Sequence, residues 1–458
     1  MESRRSDDDT RLIVDAPPRS VKKPDRRGHA ILIVALVGVV SIMLIAVRPI
    51  ETQWLRDRVE LGPRPFYLVS GILSGVQGAG PAWEWRQKLY QKFIDCSGEP
   101  KRSVRSVAHR GAPLMFPEET EAGLRAAYRM GAGVLECDAV LTNDRQFVCR
   151  HGVCDLHYTT DILSRPDLAA KCTAPFSPRG GATPAAAVCC STDFSLEEFK
   201  QLCATMEMEM NTNATSLATF LKVPAGHSEV YAGGRCFPTL SHKEFVSLVN
   251  LELFEARMTP ELKVWDYQPL LGLMPEEAAD LLAEDYADVP ETRVFPQSFD
   301  PKHVERWLSL DKPFPDAVLL VRSGFEVGSP ISKAQVAILD DLQALRPHAL
   351  SIVAMPFQTL LEIPANVTGG EVAQTPLVAT RAANFMKDRG LRIWAWTLER
   401  SGPLPTGTFF SSVPGFMQQD SDVMVFLHAL FQVAGVEAVF SDWPATVSLY
   451  AACIPVAT

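Results

Sequence analysis

Two carboxylates, Glu136 and Asp138, stand two residues apart in an apolar run that is typical of a β-strand. Alternate residues of a strand point to the same face, so both side chains project to one side as hard oxygen ligands for a cation. Glu261 and Lys263 have the same spacing in a later strand-like run and could add a third ligand and a positive charge. The spacing therefore predicts a metal site.

Two histidines lie on either side of this carboxylate pair in the chain. His109 and Arg110 follow the first strand-like run, and His151 follows the next one after Asp138. Hydrolysis of a phosphodiester needs a base for the attacking oxygen, an acid for the leaving alcohol and positive charge on the phosphate. The histidines could carry the protons, and Arg110 can donate two hydrogen bonds to phosphate. These residue types favour metal-assisted hydrolysis of a phosphate ester.

The composition is that of a folded, acidic protein. The chain has 458 residues, of which 47% are hydrophobic, and a formal net charge of -10. This charge argues against a nucleic-acid partner, because general nucleic-acid binding needs a surplus of Lys and Arg. A metal ion held by carboxylates would instead supply positive charge locally for an anionic substrate.

Strand-like runs alternate with helical patterns from Val104 onwards. Alternation over this length predicts a TIM (β/α)8 barrel, whose active site lies at the carboxyl ends of its strands. A doubly wound open sheet is the alternative from the pattern alone. Residues 154–240 interrupt the alternation and are rich in cysteine, which predicts a long Cys-rich insertion braced by disulfides. Because most of the cysteines fall early in the chain, we expect this bracing in the N-terminal half of the catalytic domain.

An uncharged apolar run at residues 30–47 is just long enough to span a membrane as a helix. Lys and Arg are more frequent before it than after it, which predicts a type II signal anchor with the catalytic domain lumenal or extracellular. A cleaved signal peptide is the alternative. The predicted organisation is a cytoplasmic tail (1–29), a transmembrane helix (30–47), a stalk or lead-in (48–103) and a catalytic domain (104–458).

Other signals agree with an oxidising compartment on the far side of a membrane. All ten cysteines lie after the apolar run. Asn213 and Asn366 each begin a glycosylation sequon, which predicts a glycoprotein.

The chemistry-bearing motifs together resemble the signature of the glycerophosphodiester phosphodiesterase family. Its elements are HRG at 109–111, P-E-E-T at 117–120, E-C-D at 136–138 and the histidine at 151. The resemblance continues through P-T-L at 238–240, E-L-K at 261–263, W-T at 396–397 and S-D-W-P at 441–444.

The resemblance implies a TIM barrel that hydrolyses glycerophosphodiesters to glycerol 3-phosphate and an alcohol. It implies a divalent cation, Ca²⁺ or Mg²⁺, and attack either by water or by a neighbouring hydroxyl of the substrate. The matching residues fall into three roles: metal ligands Glu136, Asp138 and Glu261, general acid and base His109 and His151, and phosphate-binding groups Arg110 and Lys263.

Two positions depart from the family pattern. Glu119 stands where the family has Asn, so it either adds charge near the metal or faces solvent. Gly152 stands where the family has Asp, which removes an acidic neighbour of His151. Trp396 is a candidate headgroup contact, for example to choline by cation–π attraction, with core packing as the alternative.

Three functions are compatible with these residues. The first is hydrolysis of deacylated glycerophosphodiesters. The second is a lysophospholipase D or sphingomyelinase D-like activity on a membrane lipid, which an apolar groove beside His109 would favour. The third is a catalytically silent, membrane-tethered binding protein, although every expected ligand and histidine is present.

Overall fold

The computed structural model describes residues 58–74, 81–222, 236–263, 271–365, 367, 376–400 and 408–455. The predicted tail and the apolar run at 30–47 lie outside these residues. Within the described ranges, no helix is both long and apolar enough to cross a membrane. The signal anchor stays a prediction.

Parallel strands close into a barrel, because the first strand pairs with the second on one side and with the last on the other. Closure excludes the doubly wound open sheet and confirms the predicted TIM barrel. The eight barrel strands in the described part of the chain are β1 (Ser103–Ala108), β2 (Ala132–Leu141), β3 (Arg257–Leu262), β4 (Gln297–Ser298), β5 (Val318–Leu320), β6 (Ile352–Pro356), β7 (Arg392–Leu398) and β8 (Val436–Ser441).

Helices precede the barrel and follow each strand. Thr120 and Ser241 begin two of them by accepting hydrogen bonds from backbone N–H groups three residues later. The helices are α1 (Arg64–Ser70), α2 (Pro81–Ile94), α3 (Glu121–Arg129), α4 (His242–Leu251), α5 (Pro275–Glu284), α6 (Pro301–Leu308), α7 (Lys333–Ala344), α8 (Arg381–Asp388), α9 (Asp422–Ala429, continued by one π-helical turn, Leu430–Ala434) and α10 (Ala445–Cys453).

Strand β2 is buried at every position, as expected for a parallel strand covered on both faces. Its inward side chains join a cluster inside the barrel that includes Val134, Phe295 and Trp394. Trp394 is therefore a core residue, whereas Trp396 packs on the edge of this cluster. The interior of the barrel is packed with apolar side chains, and the polar residues lie above this core at the carboxyl ends of the strands.

The segment before the barrel is part of the same compact unit, which begins at Val59. Arg86 on α2 forms a buried ion pair with Asp422 on α9, with 2.7 Å between Nη1 and Oδ1. Arg64 contacts Glu399 at 3.2 Å. The first barrel strand begins beside the predicted boundary at Val104, but α1 and α2 extend the compact unit towards the N-terminus.

Five disulfides connect all ten cysteines. Four of them lie in the N-terminal half of the domain, as expected: Cys137–Cys149, Cys154–Cys190, Cys172–Cys189 and Cys203–Cys236. Cys96 does not take part in this bracing of the N-terminal half, contrary to the expectation. It bonds to Cys453 at the end of α10, because the lead-in and the last helix lie side by side.

The insertion at 154–240 has a small core of its own beside β2. Phe194, Phe199 and Phe220 are fully buried in it together with Cys172 and Cys189. Its regular elements are short, so the disulfides and this cluster supply the order that long helices would otherwise give.

We predict that Arg86→Met destabilises the chain strongly. The substitution leaves Asp422 buried without its guanidinium, which costs about 3–5 kcal/mol. The exposed Lys88 on the same helix offers a matched control, and Lys88→Met should change the free energy of unfolding by less than about 0.5 kcal/mol. Urea unfolding with intact disulfides measures both. Equal stabilities of the two variants would contradict a structural role for the ion pair.

Candidate active site

Three carboxylates meet at the carboxyl ends of β2 and β3. Glu136 and Asp138 share a face of β2, and the strand register places Glu261 directly opposite Asp138. One oxygen from each of the three residues lies within 4.8 Å of the others. All three side chains are buried, so their charges are poorly screened by water.

Two basic side chains partly neutralise this cluster. Lys263 Nζ lies 2.7 Å from Glu261 and 3.4 Å from Asp138. Arg110 Nε lies 3.3 Å from Asp138 on the other side. These cations hold the pKa of Asp138 below its usual value, although burial alone would raise it.

For Glu136 and Glu261, nearby positive charge does not offset the effect of burial on the pKa. Burial and then Asp138 raise the pKa of Glu136 well above its usual value. Burial raises the pKa of Glu261 to about 7, against the opposing charge of Lys263. A site of this kind favours a bound cation, since the cation stabilises all three ionised forms.

The donor set fits a hard divalent cation. Oxygen ligands from Asp and Glu are those that Ca²⁺ and Mg²⁺ prefer. Within the described ranges, neither carboxylate oxygen of Asp138 accepts a hydrogen bond, and each meets only an ion-pair partner, Lys263 or Arg110. A second acidic group, formed by Glu119 with Cys137 and Cys149, does not offer such a site because the two cysteines are bonded to each other.

His109 is positioned by an aspartate from the other end of the chain. Its Nδ1 lies 2.6 Å from Oδ1 of Asp442, which follows β8. This hydrogen bond places the proton on Nδ1 and leaves Nε2 unprotonated. Burial and then Arg110 lower the pKa of His109 to about 4, so the ring is neutral near pH 7.

The HRG turn, residues 109–111, carries His109 and Arg110 and has an unusual backbone conformation. Arg110 has a positive φ of 56°, and Gly111 has a φ of 90°. A side chain at Gly111 would meet the backbone of Gly123 at 2.9 Å, so glycine is required there. The turn also directs the backbone N–H of Arg110 to Glu136 at 2.9 Å, which ties the turn to the carboxylate cluster.

His151 lines the same cavity as His109. Burial, followed by the charges of Arg110 and Lys263, lowers its pKa well below the usual value. The backbone N–H of Gly152 donates a hydrogen bond to Asp155 at 2.7 Å. The charges that act on His151 are therefore those of Arg110 and Lys263, and no acidic neighbour among the described residues compensates them.

Glu119 does not face solvent. It is fully buried, and its Oε1 accepts a hydrogen bond from the backbone N–H of Asp138 at 3.1 Å. Burial, with Asp138 and Glu136 nearby, raises its pKa well above the usual value. A protonated Glu119 is neutral, as the amide in the family motif is.

Several residues of the site were missed in the sequence. Gln297 at the end of β4 donates to Glu136 at 2.8 Å. Arg400 contacts Asp442 at 3.2 Å and Glu207 of the insertion at 2.5 Å. Asp442 lies in the S-D-W-P motif, but no role was assigned to it from the sequence. No local sequence pattern indicated Gln297, Arg400 or Glu207 as residues of the site.

A cavity of about 280 Å³ opens above these groups. One wall is charged, and the opposite wall is apolar with Leu320, Trp396 and Phe409. The ring of Trp396 lies 5.7 Å from that of Phe409, centroid to centroid. Asp138 is buried beside the cavity, and the other predicted site residues line it: His109, Arg110, Glu136, His151, Glu261, Lys263 and Trp396.

The closed barrel and its charged cavity define a TIM-barrel hydrolase of the phosphodiesterase class. The chain belongs to the glycerophosphoryl diester phosphodiesterase family, whose model matches residues 109–446. This confirms the resemblance in the motifs and makes the chain a phosphodiesterase. Enzymes of this family use divalent metals, and the carboxylate cluster could bind one.

The chain is also similar to individual proteins. An "Extracellular protein" of Arthroderma benhamiae is 30% identical over 253 residues, which cover 53% of this chain and 97% of the relative. A phosphodiesterase of Oleispira antarctica, solved in complex with the product sn-glycerol-3-phosphate, is 18% identical over 74% of this chain and 94% of its own, with a TM-score of 0.42. A glycerophosphoryl diester phosphodiesterase of Parabacteroides distasonis is 12% identical over 81% of this chain and 94% of its own, with a TM-score of 0.43.

We predict that Asp442→Asn lowers kcat/KM for phosphodiester hydrolysis by about 100-fold or more, because His109 loses the partner that fixes its tautomer and stabilises its protonated form. Glu437→Gln on the outer face of the same strand should leave kcat/KM unchanged. The measurement is steady-state kinetics, with thermal unfolding to confirm that both variants fold. Full activity of the folded Asp442→Asn variant would remove Asp442 from the mechanism.

We also predict a pH-dependent gain of stability in Asp155→Asn. Burial raises the pKa of Asp155 to about 7, whereas the unfolded value is about 4. Between these values the folded chain holds a proton that the unfolded chain releases, so wild-type stability falls as pH rises. The variant lacks this penalty and should gain about 2–4 kcal/mol at pH 8 but nothing near pH 4.

Urea unfolding across this pH range measures the effect. The exposed Asp167 of the insertion offers a control, and Asp167→Asn should follow the wild-type curve. A stability difference between Asp155→Asn and wild type that does not change with pH would contradict the prediction.

Proposed function

We propose that this chain hydrolyses glycerophosphodiesters to sn-glycerol 3-phosphate and an alcohol. The observation that carries the proposal is the carboxylate cluster of Glu136, Asp138 and Glu261 beside two neutral histidines in one cavity. Membership in the glycerophosphoryl diester phosphodiesterase family supports the substrate class.

We assign the positive charges of the cavity to the phosphate. Arg110 offers a planar guanidinium suited to two phosphate oxygens, and Lys263 offers a point charge on the opposite side. Their existing carboxylate partners hold both side chains in position before the substrate arrives. A divalent cation, Ca²⁺ or Mg²⁺, bound by Glu136, Asp138 and Glu261 would add further charge neutralisation at the phosphate.

The two histidines divide the proton transfers. His109 is neutral near pH 7, and its Nε2 can accept the proton of the attacking oxygen. Asp442 then stabilises the imidazolium that forms. His151 gains a proton more readily once an anionic phosphodiester is bound, because the added negative charge raises its pKa. It can then donate that proton to the leaving alcohol.

A second candidate is a lysophospholipase D or sphingomyelinase D-like activity. The apolar wall of Leu320, Trp396 and Phe409 favours it, since such a surface could hold the start of an acyl chain or a headgroup. In either case we propose that Trp396 contacts the part of the substrate beyond the phosphate.

We propose a lumenal or extracellular location for the catalytic domain. Five disulfides support it, because such bonds persist in oxidising compartments. The name of the Arthroderma benhamiae relative agrees with it. The signal anchor at 30–47, the cytoplasmic tail and the sequons at Asn213 and Asn366 belong to the same proposal; Asn213 is exposed, and Asn366 lies outside the described residues.

The test is hydrolysis by the purified full-length chain. We expect release of glycerol 3-phosphate from glycerophosphocholine with Ca²⁺ or Mg²⁺, loss of activity with chelator, and a fall of about 100-fold or more in His109→Ala. Lysophosphatidylcholine tests the second candidate in parallel. Failure to cleave any glycerophosphodiester with either ion would overturn the proposal, whereas cleavage of the lysolipid alone would favour the second candidate.

A further inference from the structure

A second cavity adjoins the catalytic cavity at the carboxyl ends of β4 and β5. Its volume is about 360 Å³. Phe299, Leu320 and Arg322 line both cavities and so form their common wall. A substrate whose phosphate lies at the carboxylate cluster could therefore extend across this wall into the second cavity.

Arg322 differs from the other cations of the catalytic cavity. Arg110, Lys263 and Arg400 each contact at least one carboxylate. Among the residues that the structure describes, Arg322 has no ion pair and no side-chain hydrogen bond. Its guanidinium carbon instead lies 4.5 Å from the ring centroid of Phe299. Stacking on the ring restricts the guanidinium while leaving its N–H groups free to donate.

The surroundings leave the charge of Arg322 available to a ligand. Asp300 is the acidic residue that also lines the second cavity, and its Oδ1 already accepts the backbone N–H of Lys302 at the start of α6, at 2.9 Å. Ser323 and Gln335 add neutral polar groups, and Ile338 adds apolar surface. Among the described residues that line it, the second cavity thus combines a cation that has no acidic partner with a wall that is otherwise mostly neutral.

We propose that the second cavity binds the alcohol moiety of the diester and that Arg322 recognises an anionic group on it, either a carboxylate or a phosphate. A guanidinium matches the geometry of both groups with two parallel hydrogen bonds. A cationic headgroup such as choline would instead meet Arg322 as a like charge. This inference rests on the proposed function and specifies its substrate class.

Two pairs of probes isolate the anionic group. Glycerophosphoserine and glycerophosphoethanolamine differ by one carboxylate, and glycerophosphoinositol 4-phosphate and glycerophosphoinositol differ by one phosphate. With the full-length wild-type chain, we expect kcat/KM to be about 10- to 100-fold higher, in at least one pair, for the member that carries the additional carboxylate or phosphate. The pair that responds identifies the group as a carboxylate or a phosphate.

Variants then assign the preference to Arg322. Arg322→Met should lower kcat/KM by about 10- to 100-fold for the preferred probe and change it by less than about twofold for the partner that lacks the additional carboxylate or phosphate. Arg322→Lys keeps the charge but loses the planar fork, so it should retain part of the preference. Arg129→Met, at the exposed end of α3, is the matched control and should behave as wild type.

Two results would overturn the inference while the proposed function stands. One is a wild-type chain whose kcat/KM for glycerophosphocholine or glycerophosphoethanolamine equals that for the probes with the additional carboxylate or phosphate. The other is an equal loss on both members of a pair in Arg322→Met, which would mean a general structural effect. A wild-type chain that cleaves no probe at all, glycerophosphocholine included, would overturn the proposed function itself.

Discussion

Like charges repel strongly where water is excluded, and the three carboxylates of this barrel are held together in such a place. Glu136, Asp138 and Glu261 keep their ligand oxygens within 4.8 Å of one another although all three are buried. Isolated carboxylates would lose much of their charge under these conditions by taking up protons. The arrangement therefore depends on positive charge supplied from nearby, and the rest of the site is built to supply it.

Arg110 and Lys263 are the immediate source of that charge, and both contact the cluster directly. The same two groups face the cavity, so the charges that stabilise the fold locally are also those available to a phosphate. The left-handed backbone at Arg110 is tolerated here because its N–H is tied to Glu136 and its guanidinium to Asp138. Stability and function therefore draw on the same contacts.

A second layer of charges connects distant parts of the chain to this centre. Asp442 from the end of β8 holds His109, and Arg400 links Asp442 to Glu207. The Cys-rich insertion is thereby connected to His109 through one arginine. The disulfides and the small core of the insertion hold Glu207 in a position from which that contact can form.

Local patterns in the sequence determined much of the site. The i, i+2 spacing of Glu136 and Asp138 predicts a shared face in any strand, and the alternation of strands and helices predicts a barrel. Both are visible in the order of residue types along the chain, without knowledge of which distant residues meet. Pairings between distant residues have no such signature, which is why the bond of Cys96 to Cys453 and the role of Asp442 beside His109 were not predicted.

The sequence by itself therefore determined the family through its motifs, and the family implied the barrel and the residue types of the candidate site, whereas the strand and helix pattern alone left an open sheet as an alternative. Only the tertiary structure decided how Glu261 comes opposite Asp138, which aspartate serves His109, and where Arg322 remains without an acidic partner among the described residues. These features depend on strand register and on loops that meet at one end of a closed barrel. Closure brings together residues that are far apart in the chain, and no local sequence pattern predicts such contacts.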